Sequence, residues 1–542
     1  MDYARRGQRN WFVVNIGLSY CKQYVPRAQK LDANILQAAV PKVLDDLSIA
    51  LGGRFRIVSR TSDVAGLKYR ETFALEKGVH VYATVFGSHI KLEAFAPENA
   101  QFVEIQQLLN DFRLQMVRSN DVAGISRFLE CGRRKTRVTA AKIIGEAPDA
   151  RFIPELRKSL NSDHSITVRR EVLRALIQLE YPEKEADFRE ALKEKDDETV
   201  AIAEAYIFGN RFKRQFSTLP VARSGNVPDV SKITGAVVGL VVGDVIGRPV
   251  ESLARWRMLE IYGKPISGIQ VAANPKNQFG QFSDDMEETL LVTETLKTGN
   301  GFRPEIFAGL FAEHAFQIDT HGIPNNGYGP ATIKAGRNLY RGIPWTQSGL
   351  DYPTCGPSTR VVPLAIYYHD NLAALEEALV SSSEITHKNR IAIAGAIAVG
   401  FAVAKILSTS DTFNGRELIE WLAPKVAEYD QELSDKLHLA LKLAQDKEVS
   451  TEAAYEMLGN SSNTRQLIPL AFYAFLKSPT NYRETVLTAV NAGGDTDSSA
   501  AISGAFSGAL NGSAAVPEQW VEKIENLHLV YDAVGFLSRQ PI

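Results

Sequence analysis

Two short turns, Ser283-Asp284-Asp285 and Asp495-Thr496-Asp497-Ser498, concentrate carboxylates and hydroxyls at the starts of helical patterns. Taken singly, each reads as a helix cap. A Ser side chain can bond a free backbone N–H, and acidic residues in a first turn favour the helix dipole. Adjacent carboxylates such as Asp284 and Asp285, however, repel each other unless a cation or solvent lies between them. Asp495 and Asp497 follow Gly493 and Gly494, which permit a strained turn that presents both carboxylates at one helix start. Carboxylates with neighbouring hydroxyls are hard oxygen donors, the set that Mg2+ or Mn2+ prefers. The two turns lie 495 − 285 = 210 residues apart, and their joint occurrence favours a metal site over two unrelated caps.

A third cluster precedes them. Gly235, Gly239, Gly243 and Gly247 recur every fourth residue and line one helix face, which lets another helix or a ligand approach the backbone closely. Pro249 ends that helix and leaves Glu251 in a loop. Taken alone, this cluster reads as tight helix packing with an exposed Glu. Gly504, Gly508 and Gly512 repeat the four-residue stripe after the second acidic turn. His80 and His89 read as ordinary strand residues, and Cys355 as a small buried residue, since no base is placed beside it. His387 reads as structural, its Thr-His turn capping the apolar helix from Ile391.

These residues need a scaffold, and the chain changes texture three times on the way to it. Residues 1–118 read as a small α+β domain, with β-rich runs at 55–58 and 79–86 and a helix over Ala100 to Met116. Residues 119–212 read as weakly repeating helices. Segments beginning at Val138, Val168 and Val200 are 30 and 32 residues apart, and each is amphipathic, so neighbours must stack to bury their apolar faces. They resemble HEAT repeats, whose surfaces bind partners; a helical spacer is the plainer alternative. Residues 213–230 read as a linker. From 231 to 542, Ala, Gly and Val recur at helical spacing with almost no strand signal, which predicts an all-α domain.

Three separated cysteines, Cys21, Cys131 and Cys355, do not form a disulfide framework or a zinc set, and point to a reducing, cytoplasmic setting. The net charge of −2 gives no electrostatic footprint of a nucleic-acid binder. The apolar runs from Ile233 and from Ile391 fall short of the roughly 20 residues a bilayer requires and read as buried core helices, so no membrane partner is expected.

Residues 231–542 resemble the ADP-ribosylglycohydrolase family, which includes the dinitrogenase-reductase-activating glycohydrolases. The family opening G-x-x-x-G-D-x-x-G-x-P-x-E reads here Gly239 to Glu251. Its T-D-D turn reads Ser283-Asp284-Asp285, and its G-G-D-T-D-T turn reads Gly493 to Ser498. Gly327-Tyr328-Gly329, Arg360 with Pro363, and Thr386-His387 match in order. The resemblance implies an all-helical fold with two Mg2+ (or Mn2+) ions in a cleft. Ser283, Asp284 and Asp285 would hold one ion, Asp495 and Ser498 the other, with Asp497 between them. It further implies Glu251, Asp285 and Asp497 as catalytic residues, and Gly327, Tyr328 and Gly329 against the ADP-ribose. Ser283 and Ser498 stand where the family has threonine and keep the hydroxyl. Cys355-Gly356-Pro357-Ser358-Thr359-Arg360 is a loose version of the family's N-G-x-x-M-R, which bears on the substrate more than on catalysis. The expected activity is metal-dependent removal of ADP-ribose from a modified protein or small ADP-ribosyl substrate, with residues 1–230 recruiting the target. The competing expectation is a non-catalytic scaffold that binds ADP-ribose or protein.

Overall fold

The computed structural model describes residues 11–17, 40–53, 55–65, 68–76, 79–85, 89–95, 105, 108, 129–130, 134–146, 148–209, 211–212, 223, 226–272, 277, 279–323, 325–409 and 412–539. The chain divides into two compact units, one of residues 1–209 with 317–323, the other of 210–316 with 324–542.

The first unit opens with a five-stranded antiparallel sheet, β1 (Trp11–Gly17), β2 (Ile57–Ala65), β3 (Lys68–Leu75), β4 (His80–Val85) and β5 (His89–Phe95), in the order β1-β5-β4-β3-β2. The register pairs Phe73 with Val81 and Val81 with Ala94, while Ala83 pairs with Leu92. Residues two apart share a face, so Phe73, Leu75, Val81, Ala83, Leu92 and Ala94 form one buried apolar surface. Leu44, Leu47 and Leu51 of helix α1 (Val40–Gly52), at spacings of three and four, join the same core. His80 and His89 lie on strands, as expected. Of the expected helix over 100–116, only Ile105 and Leu108 are among the described residues; both are helical and buried.

Helices α2 (Arg134–Glu146), α3 (Ile153–Ser162), α4 (Ile166–Ile177), α5 (Lys184–Ala191) and α6 (Asp197–Phe208) follow and share that core. The sequence repeat has a polar counterpart. Arg137 grips Asp163 with bonds of 2.6 and 3.0 Å, Arg157 grips Asp187 with bonds of 2.7 and 3.1 Å, and Arg170 grips Asp196. Such bidentate pairs fix the register of successive helices better than an apolar contact does. Asp196 also accepts from Thr199 N and Oγ at 2.8 and 2.6 Å, capping α6. The Arg170 bond, more than any other cause, holds its carboxyl well below the usual range.

The second unit is mostly helical. Its centre is the pair α7 (Val230–Gly247) and α10 (Thr496–Asn511), with α8 (Asp284–Gly299) and α9 (Arg390–Leu407) among the helices around it. A methyl group on Gly235, Gly239, Gly243 or Gly247 would overlap the backbone carbonyl of Gly508, Gly504, Ala500 or Thr496. The glycine stripes therefore put backbone against backbone, and the packing reading of α7 holds. Tyr482 closes the contact by donating to Gly239 O at 2.7 Å. The helices Val230–Val250 and Arg390–Leu407 are long and apolar enough to cross a membrane, but 78% and 83% of their apolar windows are buried in this unit. One feature departs from an all-helical expectation. β6 (Leu253–Ala254) pairs antiparallel with β7 (Gly493–Gly494). Two residues carry no periodicity to read, and Gly493 and Gly494 reach φ of +75° and +79°, which favours glycine. Of the expected linker 213–230, residues 213–222 and 224–225 lie outside the described residues.

Candidate active site

The close approach of α7 and α10 leaves their polar ends to be organised by loops. α8 begins with Ser283 as its N-cap, whose Oγ accepts from Asp285 N at 3.2 Å. The turn is held from behind by Asp244, fully buried on α7, whose two carboxylate oxygens each accept from Ser283 N at 3.0 Å. Asp284 N donates to Asn326 O at 3.1 Å. The β6–β7 ladder and Asp495 N, which donates to Asn460 O at 3.0 Å, set the second turn. Thr496 Oγ donates to Gly247 O at 2.9 Å and ties α10 to the end of α7.

The two acidic turns meet. Ser498 Oγ donates to Asp285 Oδ2 at 2.9 Å, and Thr359 Oγ donates to Asp285 Oδ1 at 2.7 Å. Arg248 lies 3.6 Å from Asp497 and bonds Glu251, which the short turn Arg248–Val250 places at the same cluster. Gly327, at φ +117°, packs so that a side chain there would meet Asp284 and Arg248. Ser283, Asp284, Asp285, Asp495, Asp497, Ser498, Glu251 and Gly327 are thus assembled in one place. Gly329 caps the helix Pro330–Tyr340 with open space beside its Cα. The Tyr328 ring is buried, 5.2 Å from the His314 ring and 6.1 Å from that of Phe311.

Burial and like charge dominate the electrostatics. Burial first, then the charges of Asp285 and Asp497, push the Asp244 carboxyl far up. Burial and Asp285 do the same to Asp284, and burial and Asp497 to Asp495. Asp285 is pushed up to about 7, mainly by burial and next by Asp497. Glu251 rises to about 8 for the same two reasons, against the pull of Arg248. A cluster that takes up protons rather than charge is one short of positive charge. The donor set, carboxylates with Ser283, Ser498 and Thr359 hydroxyls, is that of a hard divalent cation. Among the described residues, no three His, Cys, Asp or Glu side chains converge as a ready cage. A divalent cation held here would need hydroxyl and water oxygens beside the carboxylates, as is common around Mg2+.

Asp244, Arg248 and Thr359 were missed as site residues. For Asp244 the sequence holds two signals, its place as the D of the family opening and as the lone carboxylate in the largely apolar α7. Cys355 is buried and donates to Asp495 at 3.6 Å, and burial followed by the Asp495 charge drives its thiol far up, which suits a packing residue. Arg360 is fully buried, bonding Glu288, Ser382 O (2.6 Å) and Thr386 Oγ (2.8 Å) under the Phe307 ring.

His387 is structural, but not as a cap. Asn389 caps α9, accepting from Ile391 N at 2.9 Å, because its short amide reaches the free N–H groups. His387 instead bonds Thr354 Oγ at 2.8 Å and Thr386 Oγ at 2.9 Å. Burial, and then Arg360, pulls it down to about 3. The folded protein therefore holds His387 neutral where the unfolded chain protonates it. The resulting stability is complete above pH of about 6.5 and is lost at up to about 1.4 kcal/mol per pH unit as pH falls toward 3. Urea titrations at pH 7.5 and pH 5 should show the wild-type losing about 2 kcal/mol more than His387→Asn. Equal losses would remove His387 from that account.

Comparison with known proteins identifies the family. The family model for ADP-ribosylglycohydrolase matches residues 226–539, and that for HEAT repeats matches 124–207. An uncharacterised protein of Archaeoglobus fulgidus is 35% identical over 296 residues, 54% of this chain and 92% of the relative. The ADP-ribosylarginine hydrolase Tri1 of Pseudomonas putida is 26% identical over 320 residues, 58% of this chain and 79% of the relative. The ADP-ribosylhydrolase ARH3 of Mus musculus is 23% identical over 333 residues, covering 55% and 88%. With its acidic turns assembled at one cluster and a family match over more than half its length, the chain belongs to the ADP-ribosylglycohydrolase family, with HEAT repeats upstream.

Proposed function

We propose that the protein is a metal-dependent hydrolase that removes ADP-ribose from a modified protein or other ADP-ribosylated target. The family is commonly metal-dependent, and its relatives at low identity are ADP-ribosylhydrolases. The observation that carries the reading is the direct bond from Ser498 to Asp285 within a buried carboxylate cluster short of positive charge. On this reading Ser283, Asp284 and Asp285 would hold one Mg2+ (or Mn2+), Asp495 and Ser498 would hold a second, and Asp497 would serve both. When bound, such ions orient ribose hydroxyls and lower the pKa of a water.

The chain's own groups supply the rest. Thr359 and Ser498 fix both oxygens of Asp285, so that carboxylate cannot rotate away. Glu251, bonded by Arg248 and pushed up by burial and then by Asp497, is placed to exchange a proton with the departing nitrogen or oxygen. The glycosidic bond breaks with an oxocarbenium-like transition state, water adds at the ribose carbon, and the products are ADP-ribose and the restored acceptor. Gly327, without a side chain, leaves the approach to Asp284 open. Residues 1–230 are the recruiting part, the repeat surface within them meeting the protein target, and the setting is the cytoplasm.

The test is a panel of ADP-ribosylated substrates assayed with chelator and with Mg2+ restored, alongside calorimetry. Release of ADP-ribose should stop in chelator and return with Mg2+. Because raised carboxyls such as Asp285 must lose protons to bind a cation, titration with Mg2+ should release about one proton or more at pH 6.5, and affinity should climb from pH 6 to 8. Turnover in chelator, or Mg2+ binding independent of pH, would sink the metal assignment.

A further inference from the structure

Arg248 stands between Gly247 and Pro249, where the family opening G-x-P-x-E leaves the residue open, so the motif does not account for an arginine there. Its side chain is only 7% exposed. One of its nitrogens, Nη1, bonds Glu251 and lies 3.6 Å from Asp497 of the second acidic turn. Gly327 shows how near the same nitrogen comes to the first turn. A Cβ on Gly327 would meet Asp284 Oδ1 at 2.5 Å and Arg248 Nη1 at 2.7 Å. A single buried guanidinium therefore faces both turns and Glu251 at once.

Charge, more than hydrogen bonding, holds it there. Among the described residues nothing bonds its Nε. Burial pushes the carboxyls of Asp244, Asp284 and Glu251 up, and the Arg248 charge pulls each of them back. Arg360, also buried, is engaged by Glu288, Ser382 and Thr386 instead. Without a metal ion, then, Arg248 offsets the repulsion among these carboxylates. A divalent cation drawn to Asp284 and Asp497 meets the same guanidinium as a like charge, in surroundings where water screens little. We infer that Arg248 is a built-in counter-ion: it steadies the two acidic turns in the metal-free protein and lowers their affinity for the divalent cation, which keeps that ion exchangeable. The inference rests on the metal reading above.

The test compares the full-length wild-type, Arg248→Gln and Arg248→Lys by calorimetric titration with Mg2+ at pH 8 and by thermal melting in chelator. Arg248→Gln should bind Mg2+ at least about tenfold more tightly than the wild-type, and Arg248→Lys, which keeps the charge, within about threefold of it. In chelator Arg248→Gln should melt at least about 2 °C below the wild-type, and Mg2+ should close that gap. Should Arg248→Gln fail to fold in chelator, Mg2+ must restore the fold; a variant unfolded in both overturns the inference. Mg2+ affinity that is unchanged or weaker in Arg248→Gln, or Arg248→Lys behaving like Arg248→Gln, overturns it too and leaves the metal reading standing. No Mg2+ binding by any of the three proteins sinks both.

Discussion

Asp497→Asn should lose at least about 100-fold in ADP-ribose release while folding normally, since even residues that merely support metal ligands cost 10–100-fold. Asp497 is 3% exposed, its carboxylate faces Arg248 at 3.6 Å, and its charge helps to push up Asp244, Asp284, Asp285, Asp495 and Glu251. Removing that charge relieves repulsion in the metal-free protein. In chelator, then, Asp497→Asn should melt at or above the wild-type temperature, and only the wild-type should gain strongly from Mg2+. Opposite changes in stability and activity separate loss of a site charge from loss of fold. A variant that keeps full turnover would remove Asp497 from the site; one that unfolds would recast it as structural.

Gly239→Ala should have the opposite signature, a large loss of stability from a single methyl group. Its new Cβ would overlap the Gly504 carbonyl and stand 3.1 Å from Tyr482 Cε2, and neither backbone can move without parting α7 from α10. Overpacking a core commonly costs 1–3 kcal/mol, and with backbone on both sides the expected loss is at least about 3 kcal/mol. For a domain of this size that is a fall in melting temperature of about 5–10 °C. Gly535→Ala is the control. It lies in the helix Leu527–Leu537 with nothing within 4 Å of the added methyl, so it should gain up to about 1 kcal/mol of helix propensity. Differential scanning calorimetry of the three proteins decides the matter, and a Gly239→Ala variant within about 2 °C of wild-type would refute the close-packed interface.

The acidic turns, the glycine stripes and the repeating helices were legible because each is written in adjacent residues or at a fixed helical spacing. Ser283 as a cap, Glu251 after a broken helix and Val168 on a repeat helix all follow from local rules. The resemblance added the roles, since composition alone would have left two capped helices. Less legible were groups whose meaning is positional. Thr359 looks like any threonine until its hydroxyl is found on Asp285, and Asp244 like a flaw in an apolar helix until it is seen bonding Ser283 N. Tyr328 is legible as part of its Gly-Tyr-Gly motif, but only the fold sets its ring against His314.

The difference has one physical cause. Helix starts, caps and small-residue stripes are set by interactions within a few residues, so they survive in the linear order of the chain. Whether Ser283-Asp284-Asp285 and Asp495-Thr496-Asp497-Ser498 share a site depends on α7 and α10 touching backbone to backbone, a contact between residues more than 200 positions apart. That contact brings Ser498 to Asp285, raises the carboxyls by mutual burial and leaves Arg248 the cation beside Glu251 and Asp497. The residue types available for chemistry were settled along the chain, and their charge state was settled by how tightly two glycine faces pack.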